Sequence, residues 1–128
     1  MLNRIFVYGT LKRNFCNHDI VKPFLKSATS AELKGLIYDL PVGYPAAIDG
    51  DGQVIGEIFE LTDIELALAV LDRLEDYYGP NCRKNLYDRV IRDVSLINGE
   101  KVSAYVYLWA SPPELEKVGK CLVDGIWK

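Results

Sequence analysis

The chain holds one histidine, one methionine and three cysteines in 128 residues, and each scarcity closes off a kind of chemistry. With a single histidine, any Ser-His-Asp or Cys-His arrangement has to run through His18. Its neighbours Cys16 and Asp19 do not make one, because such groups meet across a fold rather than along a chain. His18, in the first turn of a candidate helix, reads as a surface or capping residue. Cys16, Cys82 and Cys121 are odd in number and widely spaced, which fits neither a disulfide framework nor a zinc site of the C-x-x-C kind. Three free thiols and no metal are expected. No apolar run is long enough to cross a bilayer, and the first one stops at Gly9, too early for a signal peptide. A cytoplasmic location is the expectation. Charge of one sign is missing too: 15 basic residues face 18 acidic ones for a net charge of −3. The basic residues are scattered rather than gathered in a stripe, so neither nucleic acid nor a membrane is an expected partner. There is no internal repeat and no low-complexity segment.

What is present is an ordinary globular balance, 49% apolar and 26% charged, long enough for one domain over residues 1–128 with a hydrophobic core of its own. Arg4 to Tyr8 reads as a first strand, rich in β-formers and stopped by Gly9. Asn17 is a candidate N-cap for a short helix through Ile20, Val21, Phe24 and Leu25, with Pro23 limiting it. Glu32 to Leu40 and Gln53 to Leu61 look like strands, separated by the loop Pro41 to Pro45 and by a turn at Asp49-Gly-Asp-Gly52. Thr62-Asp-Ile-Glu65 has capping-box spacing, predicting a helix from about Asp63 to about Asp76. Tyr77 to Asn85 is a loop. Leu86 to Ile97 and Glu100 to Trp109 flank Asn98-Gly99, which favours a type I′ hairpin turn. In the second of these strands Val102, Ala104, Val106 and Leu108 share one face and Tyr105, Tyr107 and Trp109 the other. Two substantial faces suit a curled sheet or small barrel covered by helices, an α+β architecture. A last helix is expected from Glu114 to Leu122, with Trp127 as a packing anchor.

Two features carry possible chemistry. On a helical wheel Glu75 falls in the arc of Ile64, Leu68 and Leu71, so it points where the apolar stripe points. Burial and the negative end of the helix dipole both raise a carboxyl pKa there, which suits a group that takes and returns a proton near neutral pH. The opposite outcome is that the helix ends before Glu75 and frees it to reach solvent, Arg73 or Arg83. The second feature is Val7-Tyr-Gly-Thr-Leu-Lys12, a strand running into a glycine turn. Successive N–H groups in such a turn converge on an anion, although most turns of this kind only redirect the chain. It is not a P-loop. Of the eight tyrosines, Tyr44, Tyr87 and Tyr107 are candidates to line a pocket, and the sequence does not choose among them.

Taken in order, Val7-Tyr-Gly-Thr-Leu-Lys-Arg13 with Asn17-His18, Val54-Ile-Gly-Glu-Ile-Phe59, Leu71-Asp-Arg-Leu-Glu-Asp-Tyr77 and Leu86-Tyr-Asp-Arg-Val90 resemble the gamma-glutamyl cyclotransferase-like proteins, and among them the gamma-glutamylamine cyclotransferases. The resemblance spans roughly the first hundred residues, and the order of the motifs makes it more specific than any one of them. It implies a small mixed β-barrel with helices packed on its outside. It also implies cyclisation of a gamma-glutamyl amine or peptide to 5-oxoproline, releasing an amine or amino acid without a cofactor. By the same resemblance Glu75 is the catalytic acid/base, and Tyr8, Gly9, Thr10 and Leu11 bind the glutamyl end of the small-molecule substrate. Asn14-Phe15-Cys16 departs from the glycine-containing stretch common in the family, and the 78–85 loop is long. Removal of a gamma-glutamyl protecting group and non-catalytic binding of an acidic metabolite are the alternatives. The oligomeric state is open.

Overall fold

Alternation along one strand organises the molecule. The structure is a computed structural model describing residues 2–128. It contains β1 (Arg4–Val7), α1 (His18–Val21), a 3-10 turn (Lys22–Phe24), β2 (Leu25–Asp39), β3 (Pro45–Leu61), α2 (Ile64–Leu74), β4 (Tyr87–Leu96), β5 (Lys101–Trp109), α3 (Pro112–Val118) and β6 (Lys120–Cys121). In β5 one face of the alternation, Ala104, Val106 and Leu108, joins an interior cluster with Phe6, Leu33, Ile37, Val54 and Ile58. The other face, Tyr105, Tyr107 and Trp109, joins a second cluster with Leu68 and Leu71 of α2 and Val21 of α1. Each residue pair thus feeds two cores at once, as strand geometry requires of a sheet covered on both sides.

The strands run β3-β1-β5-β4-β2-β6 across the sheet, and a further pairing of β3 with β2 closes the first five into a barrel. The β1–β5 pairing is parallel; β1–β3, β2–β3, β2–β4 and β4–β5 are antiparallel. The barrel is therefore mixed, as expected, with helices on its outside.

Several local expectations give way to longer-range geometry. The Asp49-Gly-Asp-Gly52 segment is not a turn but lies within β3, opposite a register shift between Lys34 and Leu36 of β2. Its glycines serve close strand approach: a Cβ on Gly50 would stand 2.7 Å from Leu36 Cγ, and one on Gly52 2.8 Å from the Gly35 carbonyl oxygen. β2 starts at Leu25, so the N-terminal helix is reduced to His18–Val21 followed by the 3-10 turn around Pro23. The capping box does not form. Asp63, with left-handed φ of 50°, is the N-cap of α2 and makes no side-chain cap, while the Thr62 hydroxyl and N–H both donate to the Phe24 carbonyl. The β4–β5 turn places only Gly99 at positive φ (87°) and not Asn98, so it is not type I′. The Leu96 carbonyl accepts from Gly99 N–H, and Leu96 N–H donates to Glu100. α3 ends at Val118, and Lys120–Cys121 pairs with β2 instead of extending it. Trp127 is an anchor: its indole N–H donates to Asp39 Oδ1 at 2.8 Å, and its ring packs on Phe15. Among the described residues no helix is long and apolar enough to cross a membrane.

Candidate active site

The end of α2 decides where Glu75 points. The last helical residue is Leu74, yet Glu75 N–H still donates to the Leu71 carbonyl at 2.9 Å, so its side chain continues the apolar arc of Leu68 and Leu71. Only at Asp76, with φ of 52°, does the chain leave the helical path; Tyr77 N–H then donates to the Asp72 carbonyl, and Leu86 N–H to that of Asp76. Both sequence readings are partly realised: the helix stops early and the carboxyl still enters the interior. Among the described residues Glu75 pairs with neither Arg73 nor Arg83, and no hydrogen-bond donor reaches its carboxyl. Burial, and secondarily the charge of Asp76, push its pKa up to about 7.

The carboxyl looks into a cavity of about 280 Å³. One wall comes from the end of β1 and the following turn (Tyr8, Thr10, Leu11) with Asn17. The facing wall comes from the end of α2 (Leu74, Glu75, Asp76), and Tyr44, Pro45, Tyr87 and Tyr107 complete it. Three of the phenols are already committed. Tyr8 donates to the Tyr107 carbonyl at 2.6 Å and accepts from Ala47 N–H, Tyr87 donates to the Pro45 carbonyl at 2.6 Å, and Tyr107 donates to Asp72 Oδ1 at 2.7 Å. Burial first raises all three phenol pKa values, and the Glu75 charge adds to each; all three tyrosines line the cavity with Glu75. Among the described residues the only charged ones lining the cavity are Glu75 and Asp76. An anionic group entering it can be met only by neutral donors.

Such donors lie on the opposite wall. In the turn after β1, Lys12 N–H donates to the Gly9 carbonyl and Asn17 N–H to that of Thr10, while Asn17 Nδ2 donates to Thr10 Oγ1 at 2.9 Å. His18 Nδ1 lies 2.9 Å from the Leu11 carbonyl; a carbonyl only accepts, so this nitrogen carries the hydrogen. The N–H groups of Gly9, Thr10 and Leu11 have no acceptor among the described residues, which leaves them available to an anion. Gly9 itself does not line the cavity. It is buried, and a Cβ there would stand 2.5 Å from Pro45 Cγ; glycine at this position lets β3 begin against the turn.

The structure therefore brings Tyr8, Thr10, Leu11 and Glu75 around one cavity, with Gly9 behind it. Tyr44, Tyr87 and Tyr107, left unresolved by the sequence, all line it. Sequence reasoning missed Asn17, whose side chain caps no helix but braces Thr10. It also missed Asp72 and Arg89, both lying inside motifs singled out for other residues. His18 is half-buried with its ring edge on Phe59, a brace for the turn rather than a surface residue. Cys16, Cys82 and Cys121 are free thiols, and among the described residues no three His, Cys, Asp or Glu side chains group as metal ligands.

The site thus lies on a closed mixed barrel and sets a carboxyl that has no partner among the described residues across one cavity from a glycine turn with free N–H groups. The family described as "Gamma-glutamyl cyclotransferase, AIG2-like" matches residues 5–128, and the chain belongs to it. It is 35% identical over 104 residues to gamma-L-glutamyl-butirosin B gamma-glutamyl cyclotransferase of Niallia circulans, which covers 80% of this chain and 65% of that protein. The chain thus spans under two thirds of that relative. It is 33% identical over 126 residues to a putative gamma-glutamylcyclotransferase of Drosophila melanogaster, covering 89% of this chain and 74% of the other. The solution structure of protein ytfP from Escherichia coli superposes with a TM-score of 0.61 at 26% identity, over 97% of this chain and 95% of that one. The match includes the segment after Trp109, beyond the reach of the sequence motifs.

Proposed function

We propose that this chain cyclises a gamma-glutamyl amine or gamma-glutamyl peptide, forming 5-oxoproline and releasing a free amine or amino acid. The observation that carries the reading is the pairing of Glu75, a carboxyl with no cationic partner among the described residues and a pKa pushed up to about 7, with the free N–H groups of Thr10 and Leu11 across the same cavity. The glutamyl α-carboxylate fits the main-chain donors, since the cavity offers it no cation. Its α-amine then lies toward Glu75. As carboxylate, Glu75 takes a proton from the amine, whose lone pair attacks the γ-carbonyl carbon and closes the five-membered ring. The carboxyl returns the proton to the leaving nitrogen as the old amide C–N bond breaks. Nucleophile and electrophile belong to one molecule, so holding the glutamyl chain folded supplies much of the rate. The proton transfers contribute a further factor of about a hundred to ten thousand.

A second reading is favoured by the name of the Niallia circulans relative, which acts on gamma-L-glutamyl-butirosin B: the same chemistry, used to remove a gamma-glutamyl group from a larger amine. The test for both is incubation of the protein and its Glu75→Gln variant with gamma-glutamyl dipeptides, small gamma-glutamyl amines and gamma-L-glutamyl-butirosin B, assaying 5-oxoproline. Release by the wild type, with a loss of about a hundredfold or more in the variant, supports the assignment. Full activity in the variant removes Glu75 from the mechanism. Binding of 5-oxoproline without turnover of any of these compounds makes the chain a binding module.

A further inference from the structure

Glu75 has no hydrogen-bond donor of its own among the described residues, so the aim of its carboxyl depends on how the end of α2 is fastened. The buried contacts of α2, Ile64, Ala67, Leu68 and Leu71, are apolar and non-directional, and such contacts fix a helix less sharply than bonds with defined geometry. The bond from Leu86 N–H to the Asp76 carbonyl ties down the helix exit, and among the side chains of α2 one residue supplies directed bonds. Asp72, three positions before Glu75, accepts from the Tyr107 hydroxyl at 2.7 Å through Oδ1 and from Arg89 at 2.6 Å through Oδ2. The Arg89 guanidinium is itself held between rings, 5.2 Å from the Tyr77 centroid and 5.4 Å from that of Tyr105. The Asp72 carbonyl takes the Tyr77 N–H that ends the helix. Tyr107 carries the connection further, because its own carbonyl accepts the Tyr8 hydroxyl at 2.6 Å, and Tyr8 opens the anion-binding turn.

We propose that Asp72 is the positioning residue for Glu75, and that the chain Asp72–Tyr107–Tyr8, braced by Arg89, sets the separation between the acid on α2 and the N–H cradle after β1. This rests on the proton-carrying role assigned to Glu75. The device links the two walls of the cavity through β5, so a shift of the helix end changes the distance between the reacting amine and its base. Misplacement by about 1 Å is enough to cost on the order of a hundredfold in rate. Besides Asp72 and Arg89, the titratable groups around the Glu75 carboxyl are Asp76 at the helix exit, Tyr8 on the β1 side, Tyr87 on β4 and Tyr107 on β5.

The test uses Asp72→Asn and Tyr107→Phe in the full chain, with three measurements: the Glu75 titration followed by carbon-13 NMR, kcat and KM for a gamma-glutamyl amide, and thermal unfolding. With the helix end loosened, the Glu75 midpoint falls from about 7 toward its ordinary 4.5. At the same time kcat falls by about tenfold to a hundredfold while KM changes by less than about threefold. A lower melting temperature with an unmoved Glu75 titration and wild-type kcat overturns the proposal, because that is what a purely structural brace gives. Tyr107→Phe removes one oxygen and keeps the ring, so it decides the matter by the same titration should Asp72→Asn fail to fold. If the wild type turns over no gamma-glutamyl compound the enzymatic reading falls, and the titration alone still decides whether Asp72 places the carboxyl.

Discussion

The two faces of β5 look onto different kinds of interior. Inside the barrel the buried side chains are aliphatic except for Phe6 and Tyr8, which also line the cavity, and the aliphatic ones pack to close the barrel. Between the barrel and α2 the buried set includes Tyr87 and Tyr107, which line a cavity of about 280 Å³ together with Glu75. A fully apolar interior would hold α2 at least as well. The polar handles on this side make sense as supports for a carboxyl kept without a counter-ion, which costs stability whenever it is charged. One side of the same strand stabilises the fold, and the other spends some of that stability on a site.

The sharpest way to break this comparison is to damage the interior alone. Ile37 is 1% exposed and belongs to the barrel cluster; Ile37→Ala should cost about 2–5 kcal/mol. Turnover per folded molecule should stay within about twofold, because the residue lies outside the cavity and its effect is expected to add rather than couple. Urea unfolding and activity normalised to folded protein check it; lost turnover at intact stability would mean the two sides are not separable.

A smaller effect, of opposite sign, is expected at Glu75. Its folded pKa of about 7 stands above the ordinary 4.5, so the group's stabilising contribution is complete below about pH 4.5 and is lost as pH rises through 7. Glu75→Gln removes that loss. The variant should match the wild type near pH 4 and exceed it near pH 9 by about 3 kcal/mol, the shift taken at 1.36 kcal/mol per unit. Denaturant unfolding at the two pH values measures it, and a variant less stable at both would show that the carboxyl has a partner.

The smallest effect belongs to the opposite wall. Thr10→Ala deletes the bond from Asn17 Nδ2 and should cost about 0.5–1.5 kcal/mol, with a comparably modest loss in calorimetric affinity for 5-oxoproline. Abolished binding in a folded Thr10→Ala protein would transfer the anion site from the main chain to the hydroxyl.

How much of this was legible beforehand varied with the range of the interactions involved. The helix expected over 63–76 is present at 64–74 although the capping box that suggested it does not form, the β4 and β5 strands flank their turn as expected, and the two faces of β5 follow from its alternation, which a local pattern carries intact. The arc of Ile64, Leu68 and Leu71 also put Glu75 on the buried side, although the helix stops one residue short of it. Gly50 and Gly52 were misread because a glycine pair in a polar stretch looks like a turn, whereas here it answers to the Leu36 side chain and the Gly35 carbonyl on another strand. The same holds for Gly9: strand-to-glycine periodicity locates the turn, but the crowding by Pro45 that requires glycine is a contact across 36 positions of chain.

The sequence by itself determined the first strand, the helix before Glu75, the β4–β5 pair and the family resemblance through its ordered motifs, because each depends on spacing along the chain, and it left Glu75 between two readings. Only the tertiary structure decided which tyrosines face the cavity, that their hydroxyls are turned to Pro45, Asp72 and the Tyr107 carbonyl, and that Asp72 and Arg89 meet at the helix end. Those facts depend on where strands distant in sequence are placed side by side by barrel closure, and hydrogen bonds formed that way leave no period in the residues that make them.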